Sequence, residues 1–201
     1  MKLPLRGMPL TLVVIGLACA AGVGALIFGG SSPASVDRLT SDLKSPDHSV
    51  RANAAKALAE LGPKAASATP ALVEALHDPD AKVRYRAVKA LGKISVPASA
   101  VGALVELLKD PDRDTRYFAT KALSEAGPAA APAVPALMKT MTDKDAEIRY
   151  YAVKAMGDIG ADAKAAVPAL RQATRDSDAR VRDMAATSLR KVDKQVVAKA
   201  K

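Results

Sequence analysis

Apolar positions recur along this chain on two scales. Locally they fall three and four residues apart, the spacing of one side of an α-helix. Over longer distances the whole pattern returns about every 33 residues. Arg51, Arg84, Arg116, Arg149 and Arg182 mark it, with steps of 33, 32, 33 and 33 residues. Immediately before each arginine stands Val50, Val83, Thr115, Ile148 or Val181. Three residues after it is always alanine (Ala54, Ala87, Ala119, Ala152, Ala185), and seven after it is Leu58, Leu91, Leu123, Met156 or Leu189. Twelve before it is always leucine: Leu39, Leu72, Leu104, Leu137 and Leu170. Residues 36–192 are therefore five tandem units, and a period of this length is the signature of a stacked repeat.

Each unit predicts two helices. Pro70, Pro135 and Pro168 suit the first turn of the first helix, where a missing N–H costs nothing. Thr69 is a fair N-cap for one of these helices. Asp47, Asp80, Asp112, Asp145 and Asp178 stand four residues before the arginines, where each can cap the second helix. Gly62, Gly127 and Gly160 are good stops for that helix. No unit alternates as a strand does. One helix pair cannot bury its apolar stripe alone, but a stack can. The expected fold is all-α: an α-solenoid of five helix pairs, about ten short helices.

The phrase D-x-D-x-x-[VI]-R-x-x-A-x-K-A-L-x-x-[IL]-G resembles the HEAT repeat, in the short form also seen in phycobilin lyases. Ankyrin's Thr-Pro-Leu-His-x-Ala phrase is missing, and with no Trp and two Phe the tetratricopeptide pattern is missing too. The resemblance implies a ladder in which an aspartate before the second helix and the arginine within it bond between neighbouring repeats. Asp78, Asp110, Asp143 and Asp176, six residues before their arginines, match the acidic rungs; Arg51, Arg84, Arg116, Arg149 and Arg182 match the basic ones. The first repeat departs from this with Ser45, as a terminal cap would.

The N-terminus reads differently. Residues 1–7 carry Lys2 and Arg6 and no acid. Residues 8–28 are uncharged and mostly apolar, and a helix that long spans roughly 30 Å, the thickness of a bilayer core. This predicts a transmembrane anchor, with residues 29–35 as a flexible tether. The positive-inside tendency puts the repeats outside the cytoplasm, on the periplasmic side of a bacterial inner membrane. The alternative is a cleaved signal, secreted or lipidated at Cys19, the only cysteine. A single cysteine excludes an internal disulfide and a zinc cluster built on cysteines.

Charge adds a partner class. The formal net charge is +9. From residue 36 onward 28 basic face 21 acidic residues, a net +7, and residues 193–201 read as a basic tail. A basic solenoid can bind nucleic acid, but the predicted topology puts this one on the wrong side of the membrane, which favours anionic head groups or an acidic protein surface.

The second helix also predicts an exposed stripe. Opposite the Val, Ala and Leu positions lie the residues one and five after the arginine. In the middle repeats these are Tyr85 and Lys89, Tyr117 and Lys121, and Tyr150 and Lys154, each pair four apart and so stacked along its helix. Stacking the repeats predicts a Tyr/Lys ladder on the concave surface, with Tyr151, Phe118 and Arg86 beside it. Tyrosine suits an interface because it offers both area and a hydroxyl. Ordinary solubilising surface explains the same lysines.

Enzymatic signals are weak. His48 and His77 are the only histidines, and no Ser-His-Asp set, phosphate loop, HExxH or C-x-x-C occurs. Asp78 and Asp80 beside His77 read as helix caps, not as a metal site. The expectation is a non-enzymatic, membrane-tethered adaptor, without cofactor or metal, that takes a protein partner on its Tyr/Lys face. A bilin lyase-like enzyme or subunit and a nucleic-acid binder are the alternatives.

Overall fold

The computed structural model describes residues 33–199, with side chains from 35 to 192. The segments expected as the basic N-terminus and the membrane span, 1–7 and 8–28, lie outside the described residues. Among the described residues there is no strand, and no helix is long and apolar enough to cross a membrane.

Five long helices alternate with five short ones. The short helices are α1 (Pro33–Asp42), α3 (Thr69–Glu74), α5 (Val101–Leu107), α7 (Val134–Thr140) and α9 (Val167–Ala173). The long ones are α2 (His48–Leu61), α4 (Ala81–Ile94), α6 (Arg113–Glu125), α8 (Ala146–Ile159) and α10 (Ala179–Lys199). Helix α1 begins within the segment read as a tether, and α10 continues into the one read as a basic tail. Each short helix packs on the long helix that follows it, and the long helices pack on one another in chain order. The result is two layers around one continuous apolar seam. The repeated leucines and alanines fill it: Leu58, Leu72, Leu91, Leu104, Leu123, Leu137 and Leu170 are fully buried.

The helix ends follow from local chemistry. Asp47, Asp80, Asp112 and Asp145 are the N-caps of α2, α4, α6 and α8, and each side chain accepts an N–H of the first turn. Asp178 does the same for Arg180 and Val181. Gly62, Gly127 and Gly160 hold φ of 56°, 56° and 78°, which disfavours a side chain at each. Each opens a 3-10 segment of 7 residues leading into the next short helix. The sequence pattern did not foresee these segments. In the second repeat Ser95 replaces the glycine in extended backbone (φ 167°), and only Ala98–Ala100 form a 3-10 turn. The single 32-residue step loses its residue here. Thr69 does not cap α3: it is the first residue of that helix, and its own N–H is already donated back to Ala66 within the 3-10 segment. The prolines do sit in the first turns of α3, α7 and α9.

The arginine ladder is continuous. Arg51 donates to Asp78 (2.6 and 2.9 Å), Arg84 to Asp110 (2.8 and 3.0 Å), and Arg149 to Asp176 (2.8 Å twice). Arg116 reaches Asp143 through Nε at 3.1 Å. Each arginine also points Nη1 at two carbonyls in the loop before its own helix, such as Asp78 and Pro79 for Arg84. Each aspartate in turn accepts the N–H two residues on, as Asp110 does from Asp112. In the first repeat the Ser45 hydroxyl takes that N–H, from Asp47 at 3.2 Å. The ladder welds a loop to its own helix and to the next repeat with charge-assisted bonds.

Candidate binding face

Helices α2, α4, α6, α8 and α10 turn one side to the short helices. Their other side carries the positions one, two and five after the repeat arginine. Only five aromatic residues lie among the described residues: Tyr85, Tyr117, Phe118, Tyr150 and Tyr151. All five form one unbroken row across α4, α6 and α8. Tyr85 stacks on Phe118 with ring centres 5.8 Å apart and planes at 18°. Phe118 meets the edge of Tyr117 at 5.0 Å, Tyr117 meets Tyr151 at 5.4 Å, and Tyr151 meets Tyr150 at 5.3 Å. These are favoured offset and edge geometries, each worth about 0.5–1.5 kcal/mol beyond area burial.

The row therefore differs from a simple tyrosine ladder. Tyr85 reaches Tyr117 only through Phe118, and Tyr117 reaches Tyr150 only through Tyr151. Phe118 and Tyr151 are rungs of the row, not neighbours of it. The physical reason is the 100° advance per residue: positions one and two after the arginine lean toward different neighbouring helices, so Phe118 of α6 meets Tyr85 of α4 and Tyr117 of α6 meets Tyr151 of α8. All five are half-buried.

Cations lie over the rings. Lys89 sits 5.5 Å from the centre of Phe118, Lys121 is 5.8 Å from Tyr151, and Arg113 is 5.1 Å from Tyr117. Two of these contacts join a lysine of one repeat to an aromatic ring of the next. Lys154 behaves differently. Its ammonium is bonded to Asp158 and to Ser124, and Lys191 reaches the same Asp158 at 3.0 Å. Burial alone raises the Asp158 carboxyl; hydrogen bonds from Lys154, Lys191 and Ser124 outweigh it and hold that carboxyl below the ordinary range. Arg86 donates to the Ala52 carbonyl and to the Asn53 side chain, which ties α4 to α2.

Arg113 is a feature the repeat pattern did not single out. It bonds Asp145 at 2.9 Å and Glu147 at 2.8 Å while covering Tyr117. Its spacing of four before Tyr117 was the available signal. Lys56 and Lys93 lie outside the Tyr/Lys pattern of the middle repeats, although Lys56 occupies the same position as Lys89 one repeat earlier. Burial, then the Tyr151 hydroxyl, pushes the Tyr117 phenol up to about 12.

Two grooves flank α4 on this face. One, of about 240 Å³, lies between α2 and α4 and is lined by Lys56, Glu60, Tyr85, Arg86, Lys89 and Lys93. The other, of about 270 Å³, lies between α4 and α6 and is lined by Lys89, Lys93, Phe118, Lys121 and Glu125, with Val88, Gly92 and Ala122. Both histidines sit away from these grooves. His48 pairs with Asp80 at 3.4 Å and His77 with Glu106 at 3.8 Å, and among the described residues no cluster of three metal-ligating side chains occurs.

Three comparisons set the chain beside known proteins. The pattern of the HEAT repeats matches residues 36–101, 69–139 and 134–200. No curated protein matches the chain. Among solved structures, an engineered protein is 28% identical, covers 78% of this chain and 78% of its own, and superposes with a TM-score of 0.65. The complex of CpcE and CpcF of phycocyanin lyase from Nostoc sp. PCC7120 is 25% identical over 89% of this chain and 71% of that one, with a TM-score of 0.67. A designed armadillo repeat protein in complex with peptide (KR)4 is 22% identical over 78% and 81%, with a TM-score of 0.70, a likeness of fold alone. Family matches that run from the first repeat to the last, over a ladder and a helix stack of this form, make the chain a member of the HEAT repeat family.

Proposed function

We propose that this HEAT-repeat chain is a non-enzymatic adaptor that holds a protein partner with an acidic surface on its aromatic and lysine-lined face. In this reading residues 8–28 anchor it in a membrane and the repeats stand outside the cytoplasm. The observation that carries the proposal is the aromatic row. A repeat stack needs no ring on its outer side to be stable, yet every aromatic residue among the described residues is spent there. Tyrosine and arginine are enriched among interface anchors, and this row holds four half-buried tyrosines with Arg113 over one of them.

The test is crosslinking and capture from membranes with the full chain, against a variant carrying Tyr117→Ala and Lys121→Glu. The variant keeps its helical circular dichroism and loses the captured partner; unchanged capture refutes the reading. The tether is tested by the mass of the mature chain recovered from membranes, which should include residues 8–28.

A second reading rests on the likeness to the phycocyanin lyase complex. There the chain would be a lyase-like enzyme or subunit that handles a tetrapyrrole. Pigment absorbance co-purifying with the protein distinguishes the two.

A further inference from the structure

The charges on the aromatic face are unevenly compensated. Toward the C-terminal repeats several cations have an acid: Lys154 and Lys191 share Asp158, Arg113 takes Asp145 and Glu147, and Arg180 takes Asp178, while Arg190 bonds the Thr187 hydroxyl. At the flanks of the two grooves Lys56 pairs with Glu60 at 3.7 Å and Lys121 with Glu125 at 3.9 Å, both loose and solvent-accessible. Between them stand Arg86, Lys89 and Lys93, all on α4. Among the described residues none of these three has a carboxylate within ion-pair distance. They are three and four residues apart, so they share one side of the helix. Lys89 and Lys93 form a ridge that lines both grooves.

The rings narrow the ligand class. Base stacking on a protein needs a free aromatic face. Here Phe118, Tyr117 and Tyr151 each carry a cation over the ring and Tyr85 lies against Phe118; Tyr150, which meets Tyr151 by its edge, lines neither groove. What remains is a basic double groove with apolar patches in its floor, matched to carboxylates on a flexible chain. Neighbouring packed helices lie about 8–10 Å apart. A polyproline II peptide rises about 3.1 Å per residue with three residues per turn, so side chains three residues apart share one side and are about 9 Å apart.

We propose that α4 is the charge-reading element of this face: an acidic segment of a protein partner in polyproline II conformation crosses α2, α4 and α6, and carboxylates three residues apart enter the two grooves on either side of the Lys89–Lys93 ridge. This rests on the adaptor reading above and adds to it the place, the polarity and the spacing.

The experiment measures anisotropy of a short fluorescein-labelled peptide with glutamate at every third position and serine between, added to the full chain in detergent. Lys89→Glu with Lys93→Glu is expected to weaken binding by about tenfold or more, the scale of losing charge-assisted contacts. Lys139→Glu with Lys144→Glu makes the same charge change on exposed, unpaired lysines at the short helices and their loops, and is expected to alter binding less than about twofold. A peptide with the same glutamates grouped together binds more weakly than the spaced one. Equal losses for the two lysine pairs, or no preference for the spaced peptide, overturn the proposal, since a general attraction to a basic chain explains both. Displacement by a DNA oligonucleotide with a steeper salt dependence than the peptide's also overturns it and points to phosphate polymers. If no acidic peptide binds while the Tyr117→Ala, Lys121→Glu variant still loses the membrane partner, this inference falls and the adaptor reading stands.

Discussion

Arg149 and Asp176 meet through two parallel hydrogen bonds, Nε to Oδ2 and Nη2 to Oδ1, each 2.8 Å long, across a repeat boundary. The same arginine holds the Asp143 carbonyl with Nη1 at 2.9 Å. The loop of one repeat, its long helix and the loop of the next are thus joined by a single side chain. Arg182 repeats half of this arrangement. Its Nη1 bonds the Asp176 and Ser177 carbonyls at 2.8 and 3.0 Å, but it meets no carboxylate among the described residues. It is exposed where its counterparts are mostly covered. The pair of arginines separates the worth of a rung from the worth of the repeat sequence around it.

Replacing Arg116 by alanine should therefore cost far more than replacing Arg182. Arg116 is 8% exposed, and its loss takes the guanidinium from Asp143, which keeps only the Asp145 N–H, and the donor from the Asp110 carbonyl. Breaking a covered pair from one side costs about 3 kcal/mol or more, whereas an exposed arginine is worth about 0–1 kcal/mol. Urea denaturation of the two variants checks this. Equal midpoints would remove the ladder from the account of stability.

Acid should loosen the stack. The Arg149 guanidinium holds the Asp176 carboxyl below its ordinary value, and Arg113 does the same for Asp145. At Asp78 burial pushes the other way and is outweighed by Arg51 and the Asp80 amide. A carboxyl whose folded value is depressed binds fewer protons in the folded chain than in the unfolded one. Its stabilisation is complete above the unfolded value, about pH 4, and is lost as the pH falls through the folded value. Melting temperature should be flat from neutrality to about pH 5 and fall below about pH 4. Asp176→Asn should lower the neutral melting point and flatten the acid limb. An unchanged limb would mean that this carboxyl contributes nothing.

The repeat organisation was legible because it is written in residues whose roles are local. A capping aspartate, a glycine at positive φ and a leucine at helical spacing each act within one turn, so Asp80, Gly62 and Leu91 declare themselves. The ladder was legible only through its resemblance to a known repeat, since Arg51 and Asp78 stand 27 residues apart. The 3-10 segments were not legible, because alanine-rich stretches such as 129–133 carry no signal that separates one helix type from another. For the aromatic row, sequence spacing predicts a column of tyrosines. Its true connectivity depends on how rings at two adjacent positions cross a seam between helices, and linear spacing does not contain that. Lys154 matched the stripe pattern, yet Asp158, four residues on, takes its charge.

The close approach of α8 and α10 gives a packing prediction. A Cβ on Gly157 would lie 2.7 Å from Ser188 Oγ and 3.0 Å from both its Cα and Cβ. Ser188 is buried and donates to the Val153 carbonyl at 2.9 Å, so it cannot swing away freely. Gly157→Ala should destabilise by about 1–3 kcal/mol through overpacking. Gly102, inside α5, has nothing within 4 Å of the same added atom. There alanine should stabilise by up to about 1 kcal/mol, the difference in helix propensity. Thermal melts of the two variants should move in opposite directions. A shift of the same sign in both would refute the argument.

The aromatic row makes a last, spectroscopic prediction. Burial first, and the Tyr151 hydroxyl second, push the Tyr117 phenol up to about 12. At neutral pH that ring is therefore a neutral donor, and the positive charge of the face comes from its lysines and arginines alone. An alkaline ultraviolet titration of the four tyrosines should show a late phase that Tyr117→Phe removes. Tyr151→Phe should shift the same phase toward lower pH, because the hydrogen bond with the Tyr151 oxygen that favours the protonated Tyr117 phenol is then gone. Burial remains, so the shift should be partial. A late phase that survives Tyr117→Phe would mean that another ring is the covered one, and that the contact order of the row differs from Tyr85, Phe118, Tyr117, Tyr151, Tyr150.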